Sequence, residues 1–390
     1  MTALHAPSSQ TLPLRQTLPL RVALLHNYRD LLQPSMRLYA ERLGAALARQ
    51  GVVVKRVRPP ELVPRPWLER SAAWSKLDAY AGRFVMYPRL VRGLDADVVH
   101  VVDHGQGYLV ANVNPRRAVV TCHDVVLLAL AAGRIGATKI PPVALQLFRM
   151  SLEIMKRAAV VVADSSQTKR DLVSFVGLDP DNVTVIHPGL NQAFSPDAER
   201  GAVLRDRLRL GQGPLILHVG RTFYKNISGV LRVLRRLRDG GIDVRLVRVG
   251  RALGGEELAL AVRLGILDNI VELGAVPDRD LPALYNAVDL LLFPSLYEGF
   301  GWPPLEAMAS GTPVVCSRAG SLDEVVGEAA LTADPEDVET LTWHAAGVLT
   351  DPALRRALID RGIRHVAKFN WDQTAREMVA LYRSVVAKAA

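Results

Sequence analysis

Two glutamates with seven residues between them, Glu298 and Glu306, bracket the segment EGFGWPPLE. Between them Gly299 and Gly301 flank Phe300, so the backbone can turn sharply and approach a ligand closely. Pro303 and Pro304 then open a helix, a position where a missing N–H costs nothing. The run before Glu298, DLLLFP, reads as a buried strand. Strand, glycine turn and helix start together leave free N–H donors, which suits a phosphate or diphosphate. Carboxylates flanking such a turn accept hydrogen bonds from hydroxyls, with sugar and ribose as the natural partners. An ordinary tight turn would not need two glutamates, two glycines and two prolines so closely packed.

A second segment, HVGRTFYKNISG (218–229), again places a loop after a strand, with Arg221 and Lys225 in it. Two cations facing one anion would neutralise a diphosphate through charge-assisted bonds. A third, AVVTCHDVV (118–126), puts His123 and Asp124 directly after a strand. His123 could bond a substrate hydroxyl or phosphate; equally, it could close a turn with Asp124 capping the next helix. In VVVADSSQTKRDL (160–172), Ser165 or Ser166 reads as a helix N-cap, a structural role.

These residues need strands to position them, and twelve candidates alternate with amphipathic stretches. The first six are 21–26, 52–57, 97–102, 118–122, 160–164 and 183–187. The second six are 214–220, 244–250, 270–273, 289–295, 312–317 and 330–333. Such alternation predicts parallel sheets covered by helices, and two sets of six predict two doubly wound α/β domains. The Pro-, Gly- and polar-rich segment 187–201 reads as the linker. Ligands of open α/β sheets sit beyond the strands' carboxyl ends, which singles out His26, Asp103, His104 and His123 in one half. Gly220, Arg221, Gly250 and Glu298 hold the same position in the other.

Composition narrows the alternatives. The chain has 390 residues, 49% hydrophobic and 22% charged, which excludes a disordered or fibrous protein. Cys122 and Cys316 both end apolar runs and read as buried thiols, fitting a reducing, cytoplasmic compartment. No apolar run reaches 18 residues, and no secretory leader is visible at the N-terminus. Asp95-Ala-Asp97 has the form of a metal-binding pair but precedes its strand, so it reads as a loop; the histidines lack metal-ligand spacing. Walker, GxGxxG and GxSxG motifs are missing. Aromatics are only 6%, which disfavours nucleic acid as a partner. Net charge is +9 and unevenly spread: 24 Lys and Arg face 14 Asp and Glu through residue 185, and 24 face 25 beyond it. The first half therefore either invites an anionic partner or simply presents a soluble basic surface.

Taken together, GR…YKN (220–226), VVADSSQTKRDL, VIHPGL (185–190), the EGFGWPPLEAMASGTPVV block, SLDEVVGEAAL (321–331) and FNWDQTAREMVALYRSVV (369–386) resemble the retaining GT-B glycosyltransferases of family GT4. The resemblance runs from about residue 97 to the C-terminus. It implies a GT-B fold: an N-terminal Rossmann-like acceptor domain (20–190) and a C-terminal Rossmann-like donor domain (191–370). A terminal helix (371–390) would pack back on the first domain, and 1–19 would be a loose arm. By the same resemblance Arg221 and Lys225 hold the donor diphosphate, and Glu298 with the N–H groups of Gly299, Phe300 and Gly301 holds the hexose. Leu305 joins the donor-binding set, Glu306 takes the ribose, and His123 reaches the sugar from the opposite domain.

The implied reaction is hexose transfer with retention, without a metal or other cofactor, from a nucleotide-sugar donor to a glycan or lipid-linked acceptor. The YKN and SLDEVV variants lean toward mannosyltransferases of bacterial surface polysaccharide pathways, hence GDP-mannose, with UDP-hexoses close behind. Rival readings are an epimerase or hydrolase of the same fold and a non-catalytic nucleotide-sugar binder in a polysaccharide complex. One departure is the stretch 26–43, where the family carries a Gly-rich loop and this chain has no glycine: either Pro34-Ser35-Met36 forms a different turn or the acceptor site is specialised. Residues 65–94 mix Trp67, Trp74, Phe84 and Tyr87 with six cations. They read either as an element lying on an anionic membrane or as a helix buried in the core.

Overall fold

The structure, a computed structural model, describes residues 19–27, 34–60, 78, 80–136, 140–190 and 194–390. Valine-rich runs bounded by turns form the first sheet: β1 (Arg21–Leu25), β2 (Val53–Val57), β3 (Val98–Val101), β4 (Ala118–Cys122), β5 (Val160–Ala163) and β6 (Val183–Val185). The second holds β7 (Leu215–Gly220), β8 (Arg245–Gly250), β9 (Ile270–Gly274), β10 (Leu290–Phe293), β11 (Val314–Ser317) and β12 (Leu331–Ala333). Every pairing is parallel, in the orders β2-β1-β3-β4-β5-β6 and β12-β11-β10-β7-β8-β9. All twelve strands expected from the sequence are present. Every residue of β3, β4, β5, β10 and β11 is buried, as parallel strands covered by helices on both faces must be.

Each sheet carries an apolar core on either face. The last helix, Trp371–Ala389, belongs to the first domain's packing although it follows the second in sequence. Its Trp371, Ala375, Met378 and Tyr382 share a core with Val22, Leu24, Tyr39 and Leu43. Polar groups fix its register: the Tyr382 hydroxyl lies 2.7 Å from His100 Nδ1, and His100 Nε2 lies 2.8 Å from Thr121 Oγ1. Burial holds His100 neutral, with its pKa down to about 3. At the helix start Arg49 pairs with Asp372 at 2.7 Å.

Several local expectations change. The linker ends earlier than residue 201, because Asp197 accepts from Arg200 N at 2.9 Å and caps a helix over Ala198–Arg207. Gly201, which suggests a flexible linker, sits there because a Cβ would overlap the Asn286 backbone. Pro34-Ser35-Met36 forms the first turn of the helix Pro34–Arg49 rather than a separate loop. Asp95 and Asp97, in a loop as expected, close around Arg21 at 2.6 and 3.2 Å. Segment 65–94 is divided: residues 65–77 and 79 lie outside the described ones, as do 1–18 of the arm and 28–33. Tyr87 is core, its hydroxyl donating to the His26 and Val57 carbonyls, whereas Val85, Met86 and Leu90 are exposed.

Candidate functional site

In the second sheet, strand order reverses between β7 and β10, the place where such sheets open a crevice for ligands. Both suspect loops emerge there. After β7 a short turn, Phe223–Lys225, leads to Asn226, whose left-handed backbone (φ 56°) lets its side chain accept from Gly229 N at 3.0 Å. That cap starts the helix Ile227–Asp239 and aims Lys225 back across the strand ends. Lys225 Nζ lies 2.5 Å from Glu298 Oε1 and 4.9 Å from the centre of the Phe293 ring. Both charges are largely shielded, with side chains 18% and 9% exposed. Leu296 N donates to the Tyr224 carbonyl at 2.7 Å, tying the two loops together. Beneath them His218 is fully buried, and burial lowers its pKa to about 3, so it adds no charge beside Lys225.

The loop after β10 is built from one-sided hydrogen bonding. The Glu298 carbonyl accepts from Ser321 N at 3.1 Å, and the Phe300 carbonyl accepts from Ser321 Oγ at 2.7 Å. The Gly299 carbonyl between them accepts from Ser165 Oγ at 2.7 Å and Thr168 Oγ1 at 3.2 Å, both on the first domain. By contrast the N–H groups of Gly299, Phe300 and Gly301 donate to nothing among the described residues. Gly301, at φ 101°, makes the left-handed turn into the helix Trp302–Ala309. Gly299 is where the domains touch, and a Cβ there would overlap the His123 carbonyl.

The remaining suspects divide. Glu306 is half-buried, and its Oε2 accepts from the Tyr285 hydroxyl at 2.8 Å. Burial raises its pKa to about 7, with Asp278 adding to the rise and the Tyr285 bond opposing it. It lines a small cavity with Asp278, Trp302, Arg42 and Trp371. Arg221 is exposed and has no hydrogen-bond or ion-pair partner among the described residues. The side chains of Leu305 and Phe300 lie in the second domain's core, 0% and 7% exposed, so neither presents side-chain surface to a ligand.

Across the cleft, His123 is held differently from the sequence expectation. Its Nδ1 lies 2.5 Å from Asp164 Oδ2 and its Nε2 lies 2.8 Å from the Val102 carbonyl, so neither ring nitrogen is free to reach a sugar. A carbonyl oxygen can only accept, so Nε2 carries a proton, and Asp164 holds a second on Nδ1. Burial alone would lower its pKa; Asp164, with Asp103 and the Val102 carbonyl, overrides burial and raises it to about 9. Neighbouring Asp103, at the first sheet's own order reversal, accepts from Asn27 Nδ2 and Gly105 N at 2.5 and 2.8 Å. Burial opposes its charge, but His104, His123 and these bonds hold it below the usual carboxylate range.

Several residues that the motifs did not single out complete the junction. Glu324 accepts from Ser166 N at 2.9 Å, Ser166 Oγ at 3.0 Å and His187 Nε2 at 2.9 Å. Against burial, those partners lower its pKa to about 2. Tyr297 donates to Asp171 Oδ2 at 2.8 Å. Asp164, at the end of the fifth strand run, was open to the strand-end rule; Glu324 carries no comparable signal. Among the described residues no three His, Cys, Asp or Glu side chains are arranged to hold a metal ion, and no helix is long and apolar enough to cross a membrane.

Comparison with known proteins agrees with this geometry. Residues 203–365 match the family model "Glycosyl transferases group 1" and residues 36–194 match "Glycosyltransferase Family 4". O-antigen chain mannosyltransferase B of Escherichia coli is 29% identical over 306 residues, covering 77% of this chain and 78% of that one. D-inositol 3-phosphate glycosyltransferase of Corynebacterium efficiens is 28% identical over 407 residues, covering 93% and 95%. The structure of Anabaena HepE in complex with UDP and glucose superposes with a TM-score of 0.72 at 17% identity, over 94% of this chain and 100% of that one. With one family match over each domain and the two-sheet architecture in common, this chain belongs to the group 1, family 4 glycosyltransferases and has their GT-B fold.

Proposed function

We propose that this chain is a retaining hexosyltransferase that works without a metal, passing a hexose from GDP-mannose or a UDP-hexose to a glycan or lipid-linked acceptor of a bacterial cell surface. The observation that carries this reading is the Lys225–Glu298 pair beside three open amides at the strand-order reversal of the second sheet. Breaking the donor bond leaves charge on the departing diphosphate, and cations already in place stabilise it without reorganising. Lys225 and Arg221, which has no partner among the described residues, are those cations. Glu298 and the amides of Gly299, Phe300 and Gly301 take hexose hydroxyls, and Glu306 takes the ribose. His123, protonated and locked, supplies fixed positive charge at the cleft floor instead of a mobile proton.

The lean toward mannose draws on the E. coli relative, which is a mannosyltransferase. UDP-hexoses stay in view because HepE holds UDP and glucose. A surface-bound acceptor is supported by exposed Tyr80, Val85, Met86 and Leu90 next to Arg89 and Arg92, on the half that carries the positive excess. An intact Lys225–Glu298 pair argues against a binder that has lost catalysis.

The test is a thermal-shift panel of UDP, GDP, ADP and their sugars in chelator. A ligand at 100-fold its Kd stabilises by about 2.7 kcal/mol, a readily visible shift. Preference for one base, followed by release of that nucleotide from its sugar, supports the reading. No shift with any nucleotide, or a strict requirement for a divalent ion, refutes it as stated. Co-sedimentation with anionic vesicles tests the surface-bound acceptor separately.

A further inference from the structure

Carbonyl and N–H of one trans peptide point in opposite directions, so whatever holds the carbonyl also aims the amide. In the donor loop, Ser321 of the same domain holds the Glu298 and Phe300 carbonyls, which fixes the Gly299 and Gly301 amides. The peptide between Gly299 and Phe300 is different. Its carbonyl accepts from Ser165 Oγ at 2.7 Å and from Thr168 Oγ1, whose single proton is shared with the His123 carbonyl, and both residues belong to the first turn of a first-domain helix.

We propose that Ser165 and Thr168 are positioning residues that aim the Phe300 amide at the donor, so that the donor loop is complete only when the two domains meet. The inference rests on the transferase reading above.

Four features make this more than capping. Ser165 Oγ accepts from Thr168 N at 3.1 Å as an N-cap, yet a hydroxyl has one proton to give, and the short 2.7 Å contact directs it to Gly299. Ser165 and Thr168 are both fully buried, so neither bond is exchanged with water. The approach is so close that residue 299 admits no Cβ, because one would overlap the His123 carbonyl. Tyr297, two residues earlier, is fixed by Asp171 on the same first-domain helix, so the loop meets that helix at two successive points. An open enzyme would therefore bind nucleotide through the second domain with the Phe300 amide unaligned, and closure would align it.

The experiment separates capping from donation. Ser165→Asp keeps an acceptor for Thr168 N but has no proton for Gly299, whereas Ser165→Thr keeps both. Nucleotide release from the preferred nucleotide sugar would be measured together with nucleotide Kd by calorimetry and the melting temperature. The expected result is a tenfold or larger fall in kcat for Ser165→Asp, with nucleotide Kd within twofold of wild type. Ser165→Thr should stay near wild type, and Thr168→Val should show a smaller kcat loss of the same kind. Wild-type kcat in Ser165→Asp overturns the proposal. So does a kcat loss matched by equal loss of nucleotide affinity or of melting temperature, which marks a purely structural residue. If the wild-type protein itself neither binds nucleotide nor releases it from any nucleotide sugar, the transferase reading has failed and this proposal with it.

Discussion

Replacing Asp164 by Asn should remove a pH-dependent part of the first domain's stability. In the wild type, His123 sits between Asp164 at 2.5 Å and the Val102 carbonyl at 2.8 Å. Its pKa rises to about 9 from an ordinary 6.5 because Asp164 outweighs burial. A basic group whose pKa rises on folding contributes its full stabilisation below its unfolded pKa. That contribution disappears as pH climbs through the folded value. The window is therefore pH 6.5 to 9. At 1.36 kcal/mol per unit the contribution is about 3 kcal/mol. For a domain of this size that corresponds to roughly 6–12 °C in Tm. Calorimetry from pH 5.5 to 10 on wild type and Asp164→Asn should show a gap that is widest below pH 6.5 and closes above pH 9. A gap that stays constant across that range would refute the charged-His123 argument. The same reasoning expects no activity inflection near pH 6.5, because His123 does not titrate there.

Other perturbations have equally definite outcomes. Lys225→Ala should cut kcat by about 100- to 1,000-fold, as removal of a preorganised charge-stabilising donor does. It should also destabilise by about 3 kcal/mol, since Glu298 is left buried and unpaired; adding Glu298→Gln should recover the stability measured in urea but not the activity. Nucleotide affinity should strengthen as pH rises through about 7, where Glu306 ionises and can accept two ribose hydroxyls; calorimetry on Glu306→Gln should find that dependence gone. Gly299→Ala should leave nucleotide Kd intact while transfer collapses, because the new methyl meets the His123 carbonyl. Glu324→Gln should loosen the domain junction, seen as a larger radius of gyration in solution scattering; the wild type should lose the same contact as pH falls from the ordinary 4.5 toward 2, where Glu324 protonates.

Most of the fold could be read from the sequence because its strands are short valine- and leucine-rich runs, and burial on both faces leaves such runs no polar alternative. The misread places are those where one residue serves a distant partner. Gly201 suggests a linker but makes room for the Asn286 backbone, 85 positions away in sequence. Asp95 and Asp97 lie in a loop, as read, but that they answer Arg21 at the start of β1 had no local signal. Composition and periodicity register neither, since each depends on which strand lies alongside in the finished sheet.

The meeting of Lys225 and Glu298 was legible for a related reason: each lies a few residues past a strand, and the two strands are neighbours at the order reversal. Local spacing therefore became spatial proximity with no contribution from the other domain. The first-domain side of the cleft depends on contacts that no motif encodes. His123 was recognised as a strand-end residue, yet its role turns on Asp164, one strand over, which occupies the nitrogen a substrate would need. Ser165 was recognised as a cap, yet the same hydroxyl crosses to Gly299, 134 positions away. In both cases the residue type suits two roles equally, and only the partner decides between them. A histidine beside a carboxylate becomes a fixed charge, and a serine beside a foreign carbonyl becomes a link between domains. The two halves of this cleft thus obey different rules: the second-domain loops are brought together by their own sheet, with one peptide held from the first domain, whereas the first-domain side takes its chemistry from what packs against it.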